Sequence, residues 1–371
     1  ADARPPAGRF EGITLEELNY WLAFSSIKGI GAVRFRRLLT YFGELSRAWQ
    51  ASQAELLAAG LTEHMTAAII EKRETLEVES LQAELAAKGI QVLTWNDTAY
   101  PRYLKEIDQP PPVLYYRGSI QPEDDLAIAI VGTRSVTAYG RQLTKDTAAY
   151  LASNGVTVVS GLARGVDAIA HQTALEAGGR TLAVLGSGVD IIYPPEHRKL
   201  AEQIIQHGAL MSDYPPGTKP DAINFPPRNR IISGLSRGTV VIEAGEKSGA
   251  LITAKFSADQ GRDVFAVPGS VLSPMSRGTN NLLAAGAIPL TSPAVILENL
   301  NLPKQMRLPK ADEPDLDAEE ARVLSALGAD TLHIDDLCQK MDASIEKLTA
   351  QLTLMELKGL VVRVKGMEYA A

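Results

Sequence analysis

The sequence predicts an α/β fold: a parallel sheet covered on both faces by helices, with a smaller block on either side. Two observations carry this reading. From Leu126 onward, short and continuously apolar runs alternate with helical stretches, the pattern of strands buried on both faces. Four of those runs end in Gly/Ser turns, at the end of an open parallel sheet where ligands bind.

Taken in chain order, residues 14–90 are rich in Ala, Leu and Glu and show helical spacing, as at Leu15, Leu18 and Leu22 and again at Leu56, Leu57, Ile69 and Ile70. Three prolines at 110–112 and the turn Pro122-Glu123-Asp124-Asp125 read as a connector inside a central domain of residues 91–300. Strands are predicted at 127–131, 156–160, 181–185, 209–212, 239–242, 263–267 and 288–290. Helices are predicted near 139–153, 167–177, 198–207, 251–260 and 279–285. A proline-bearing linker at 301–316 precedes a small domain at 317–371. That domain reads as a helix at 318–327, helices at 334–340 and 344–357, and a hairpin-like segment at 361–369.

With 371 residues, and roughly 150 per domain, the chain has room for two or three domains. Hydrophobic residues at 45% and charged residues at 22% give a globular composition and exclude a disordered or fibrous protein. The single cysteine, Cys338, excludes a disulfide framework, a cysteine-ligated zinc site and an iron–sulfur cluster. No apolar run approaches the ~20 residues of a membrane span, and the start lacks a signal-peptide core, so a cytoplasmic protein without membrane contact is expected. The net charge of −7 is unevenly spread: residues 127–300 carry +2, against −5 before them and −4 after. For a polyanion, what matters is whether those central bases share a face.

The chemistry is expected where the strands end. One strand runs into Gly132-Thr133-Arg134, the next into Ser160-Gly161-Leu162-Ala163-Arg164, a third into Gly186-Ser187-Gly188, and a fourth into Glu243-Ala244-Gly245-Glu246-Lys247-Ser248-Gly249. Such turns offer backbone N–H groups and helix N-termini to phosphate, and Arg134 and Arg164 project from two of them. The dinucleotide fingerprint fails at Ile191, no P-loop is present, and no G-x-S-x-G elbow supplies a nucleophile. The five histidines form no metal-ligand pair and read as buried or capping groups, so neither metal nor cofactor is expected.

The densest polar segment is 219–237. There Lys219 and Phe225 precede Pro226-Pro227 and then Arg228-Asn229-Arg230, which begin a short helix. Arginines beside an aromatic platform suit single-stranded nucleic acid. The other reading has Arg228 and Arg230 paired with Asp213, Asp221 or Glu243, and Phe225 in the core.

These segments resemble one family. The series GTR (132–134), SGLARGVD (160–167), GSGVDIIYP (186–194), SDYPPG (212–217), FPPRNRIISGLS (225–236), SGALITA (248–254), GRDVFAVPG (261–269) and GTNNLLAAGA (278–287) is similar to the DNA-processing protein A (DprA/Smf) family. The resemblance implies an extended Rossmann-like domain that binds single-stranded DNA in a basic pocket, is not an enzyme, forms a homodimer, and protects incoming DNA and loads RecA onto it during natural transformation. Pocket residues carried over are Arg134, the Ser160-Gly161 turn, the Gly186-Ser187-Gly188 loop, Lys199, Lys219 and Arg228-Asn229-Arg230. Asp213 departs from the glutamate expected there, one carbon longer.

The flanks fit the same resemblance. Residues 26–43 resemble a helix-hairpin-helix, or SAM-like, module whose Gly29-Ile30-Gly31 turn can face a DNA phosphate, with Arg34, Arg36 and Arg37 following; they equally suit a plain helical turn with solvated arginines. Residues 317–371 look like a winged helix, but its third helix offers only Lys347 and Lys358 beside Glu346 and Glu356. A protein contact or regulatory role is therefore expected of it over duplex recognition. The rival to DNA binding is a nucleotide-hydrolysing Rossmann enzyme, similar to lysine-decarboxylase-like phosphoribohydrolases, with Glu243 as the catalytic carboxylate. Against it, the P-G-G-x-G-T-x-x-E segment of that group is absent.

Overall fold

The computed structural model describes residues 14–301, 318–327, 332–341, 343–357, 360–365 and 367–370. Two compact units divide at 309/310. The expected linker at 301–316 lies, beyond Asn301, outside the described residues.

The first unit opens with helices α1 (Leu15–Ser25), α2 (Ala32–Phe42), α3 (Leu45–Gln50), α4 (Gln53–Ala58), α5 (Glu63–Thr75) and α6 (Leu81–Ala87). Their starts are signalled locally. Thr14 and Thr62 accept N–H bonds at helix N-caps, and Ser52 with Glu55 forms a capping box. Trp21, Phe24, Phe35 and Leu38 fill the core of this block, which also takes in Val113, Tyr115 and Val189 from the segments that follow. The helical block and the sheet thus share a core.

Nine strands form the main sheet: β1 (Gln91–Thr94), β2 (Val113–Gly118), β3 (Ala127–Val131), β4 (Thr157–Ser160), β5 (Thr181–Val184), β6 (Gly208–Ser212), β7 (Gly238–Val241), β8 (Asp263–Ala266) and β9 (Ile288–Pro289). Their spatial order is β1-β2-β6-β5-β4-β3-β7-β8-β9. From β6 through β9 every neighbouring pair is parallel. The sequence reading missed β1 and β2, which add antiparallel to the β6 edge. These two strands are only partly buried, so neither reads as an unbroken apolar run, and Pro110–Pro112 just before β2 reads as connector.

The layers follow from the two-residue period of a strand. On β3, Ile128 and Ile130 face α8 (Ala138–Ser153), α9 (Val166–Glu176) and the late α14 (Ala294–Asn299). Ala127, Ala129 and Val131 face α11 (Phe225–Gly234) and α12 (Gly249–Asp259), with α7 (Arg102–Lys105) behind them. All five β3 residues are buried, which accounts for the unbroken apolar run. The remaining helices of the unit are α10 (Arg198–His207) and α13 (Arg277–Ala284). The chain builds outward from β3 to β6, then returns to place β7 on the other side of β3. The order reverses between β3 and β7, and the crevice outside their carboxyl ends is the place for a ligand.

The second unit holds α15 (Ala318–Leu327), β10 (Leu332–His333), α16 (Ile334–Met341), α17 (Ile345–Leu357), β11 (Val362–Lys365) and β12 (Glu368–Ala370), with strand order β10-β12-β11. Val323, Leu337, Leu352 and Tyr369 centre its own core. Lys347, on α17, is held by Glu319 at 2.7 Å, while Lys358 lies outside the described residues. No helix among the described residues is long and apolar enough to cross a membrane.

Candidate anion-binding cavity at the switch point

A cavity of about 730 Å³ opens where β3 and β7 end. The turn after β3 contributes Gly132, Thr133 and Arg134; the turn after β7 contributes Gly245, Lys247, Ser248 and Gly249; α11 closes it with Phe225, Arg228 and Asn229. The two turns are laced together, since the Thr133 N–H donates to the Glu243 carbonyl at 2.8 Å and the Val166 N–H to the Thr133 carbonyl at 3.2 Å. Ser248 caps α12, so that helix starts at the cavity wall with its positive end toward the space.

Arg134 and Lys247 are the cations this cavity leaves exposed. Neither has an ion-pair partner among the described residues, and the neighbouring Glu246 reaches Arg277 instead, at 3.7 Å. The Arg134 guanidinium lies 5.8 Å from the centre of the Phe225 ring. Phe225 is half-buried and tilts against Tyr193 with ring centres 5.9 Å apart, giving an aromatic wall beside a free guanidinium. Sequence reasoning passed over Lys247 because its loop reads as a glycine-serine turn with Glu246 alongside; a lysine directly before a helix cap at a strand end was the available signal.

Arg228 has a different task. Only 4% exposed, it donates from Nη1 to the Gly161 carbonyl at 2.9 Å and also to the Val184 carbonyl. Burial pulls its pKa down to about 10, against the opposing pull of Asp167. Asp167 is buried beside it and accepts N–H bonds from Gly161 and Ala163 at 3.2 and 3.3 Å; burial nevertheless raises its pKa, with Arg228 opposing. Gly161 has to be glycine, because a Cβ there would sit 2.7 Å from Arg228 Nη1 and 2.8 Å from Asp167 Oδ2. Arg228 therefore fastens α11 to the ends of β4 and β5 from beneath the cavity. It lines the cavity while bonded to backbone carbonyls, and no carboxylate among the described residues forms an ion pair with it.

The other arginine of that segment turns away. Arg230 pairs with Asp213 at 2.9 Å, both side chains largely buried, so the shorter acid at position 213 serves this bridge. Asn229 donates to the Gly249 carbonyl at 3.3 Å, fixing α11 to the start of α12. The Ser160 hydroxyl donates to the Ile130 carbonyl at 2.6 Å and ties β4 to β3. The loop Gly186-Ser187-Gly188 is filled by the chain itself. A Cβ on Gly186 would come within 2.8 Å of the Phe225 ring; Ser187 donates to Ile191 and the Gly188 N–H to Thr218. That loop seats Phe225 and does not line the cavity.

Of the remaining expected residues, Arg164 lines a shallow cleft beside Phe225 and pairs with Glu196 at 2.6 Å, both exposed. Lys219 is exposed and directly precedes Pro220, which lines the cavity. Lys199 is exposed on α10 and does not line the cavity. Arg34, Arg36 and Arg37 of the helical block each donate to a backbone carbonyl, on Gly29, Asp108 and Gly60 respectively. Glu243 is buried; its oxygens accept from the Thr137 N–H at 2.9 Å and the Thr137 hydroxyl at 2.6 Å, where it holds the start of α8. A carboxylate so engaged is poorly placed as a general base. Among the described residues no cluster of His, Cys, Asp or Glu could hold a metal.

Fold and cavity together define a doubly wound α/β protein with a cavity at its switch point that carries two exposed cations. Similarity to known proteins supplies the family. The profile of the DNA recombination-mediator protein A family matches residues 91–301, and that of the DprA winged helix domain matches 307–367. Protein Smf of Synechocystis sp. is 39% identical over 391 aligned residues, which cover 95% of this chain and 98% of that one. DNA processing protein DprA of Bacillus subtilis is 43% identical over 57% of this chain and 72% of its own. Among solved structures, DNA processing protein A from Streptococcus pneumoniae aligns with a TM-score of 0.66 and 32% identity over 77% of this chain and 98% of that one. DNA processing protein A from Helicobacter pylori, whose structure is described for its single-stranded DNA binding mode, aligns with a TM-score of 0.52 and 31% identity over 57% of this chain and 95% of that one. The chain belongs to the DNA-processing protein A (DprA/Smf) family.

Proposed function

We propose that this protein binds single-stranded DNA at the switch-point cavity and serves as a recombination mediator during natural transformation. The observation that carries the reading is the pair of exposed cations Arg134 and Lys247 on the two turns of one cavity, with the Phe225 ring centre 5.8 Å from the Arg134 guanidinium. Cations that keep no carboxylate partner are ready to neutralise phosphates. An aromatic ring beside them accepts a base regardless of its identity, so binding should be largely independent of sequence.

Protection of the strand, self-association as a dimer and delivery to RecA belong to the same proposal and rest on family membership. Sedimentation of the purified chain tests the dimer, and RecA filament growth on coated DNA tests the delivery. The binding step is tested by comparing single- and double-stranded DNA of equal length in a gel shift. Preferential retention of the single strand supports the reading; equal or absent retention overturns it.

A further inference from the structure

In the first unit, nine large apolar side chains stand exposed among the described residues. Val33, Tyr41 and Leu57 belong to the helical block. Of the other six, Tyr193 and Ile252 line the cavity, Ile223, Val271 and Leu272 lie within four residues of lining positions, and Tyr139 is on α8. Ile223 falls between the lining residues Ala222 and Phe225. Val271 and Leu272, 80% and 87% exposed, form the tip of a loop that returns at Met275, another lining residue.

That tip is held out by construction. At its base Asn280 Nδ2 donates to the Gly269 carbonyl at 3.0 Å, and the Tyr139 hydroxyl donates to the Pro268 carbonyl at 2.9 Å. On the return side the Ala244 N–H donates to the Met275 carbonyl at 2.9 Å. Within the loop the Ser273 N–H donates to the Ser270 carbonyl at 3.0 Å. A loop tied at both ends that offers Val and Leu to water is a contact surface awaiting a partner.

We infer that this apolar rim makes the site selective for unpaired strands: Val271, Leu272, Ile223 and Ile252 meet the faces of unstacked bases while Arg134 and Lys247 hold phosphates. The inference rests on the proposed single-strand reading of the cavity and adds to it the source of the discrimination. Cations alone attract duplex and single strand alike, since both present phosphates. Base faces are apolar and are covered by stacking in a duplex, so only an unpaired strand can lay them on an apolar rim. Ile252 lines the cavity, and the Val271-Leu272 loop returns to it at Met275, so one ligand reaching from the cavity meets both.

The test uses the full chain and the double substitution Val271→Ser/Leu272→Ser, at positions exposed enough to leave the fold intact. Binding is followed by fluorescence anisotropy on labelled oligo-dT, on an abasic strand of the same length, and on duplex. The inference predicts that the variant loses about tenfold in affinity for oligo-dT, with an unchanged salt slope and unchanged binding of the abasic strand and the duplex. Equal loss on oligo-dT and the abasic strand, or no loss on either, overturns it. So does a change in sedimentation with oligo-dT binding intact, which assigns the rim to self-association. If the unmodified protein fails to bind oligo-dT, the underlying single-strand reading falls, and that result is distinct from all of these.

Discussion

The Arg228 guanidinium donates to the Gly161 carbonyl across 2.9 Å and so joins the first turn of α11 to the end of β4. The contact sets the geometry of everything above it. Phe225, one turn earlier, has its ring centre 5.8 Å from the Arg228 guanidinium and 5.8 Å from that of Arg134. Arg228 thus supports the aromatic wall, and Arg134 is left as the exposed guanidinium that lines the cavity.

Replacing Arg228 by Met is therefore expected to act first on stability. It leaves Asp167 buried without its nearby cation and two strand-end carbonyls without a donor, at a cost of about 3 kcal/mol. Urea denaturation measures this. An unchanged midpoint contradicts the supporting role.

Replacing Phe225 by Leu separates stacking from charge. Affinity for oligo-dT is expected to fall by the ~1–3 kcal/mol typical of a stacked base, while the dependence on salt stays as in the unmodified protein. A shallower salt slope instead indicates that Phe225 acts by positioning Arg134.

Acid stability is governed in part by His171, fully buried on α9. The Thr181 hydroxyl gives its proton to the Val158 carbonyl, so His171 Nδ1 has to donate to Thr181 Oγ1, leaving the buried Nε2 without a partner. Burial, with His197 and Arg228 adding to it, lowers the His171 pKa from 6.5 to about 3. Between those values the unfolded chain binds the proton and the folded one does not, so stability falls as pH drops, by about 1.4 kcal/mol per pH unit from this group. Asp167, with a raised pKa, contributes in the opposite sense just above its ordinary range. His171→Asn keeps a donor toward Thr181 and removes the titration. Its urea midpoint is expected to decline less between pH 6.5 and pH 4 than that of the unmodified protein, and parallel curves contradict the assignment.

Glu243 provides the check on the hydrolytic alternative. With both oxygens engaged by Thr137, Glu243→Ala is expected to lower stability by ~1–3 kcal/mol through the unpaired donors at the start of α8. Incubation of the unmodified protein with nucleoside monophosphates is expected to release no base. Release that disappears in Glu243→Ala restores the enzyme reading.

The central strands were legible because burial on both faces makes them unbroken apolar runs: Ala127–Val131 matches β3 end to end, and 181–185 overruns β5 by one residue. By contrast β1 and β2 mix polar and apolar residues beside prolines, and nothing in the local pattern reports an antiparallel edge. The helix expected to begin at Arg228 starts at Phe225, since Pro226 and Pro227 fit the first turn, where no N–H bond is needed. The strand-end loops were legible as a group, but the division of labour among their side chains was not. Whether an arginine is free depends on which carbonyls and carboxylates the packed sheet leaves within reach. Arg228 meets Gly161 and Val184, Arg230 meets Asp213 and Arg134 pairs with no acid among the described residues, and these are outcomes of tertiary packing.

The most direct test of the central claim is the salt dependence of oligo-dT binding in the unmodified protein and in Arg134→Ala/Lys247→Ala. Every single-strand phosphate that is no longer neutralised flattens the slope of log affinity against log salt by about 0.7, so the double variant is predicted to bind more weakly with a slope shallower by about 1.4. A folded double variant that keeps both the affinity and the slope would place the strand elsewhere on the molecule.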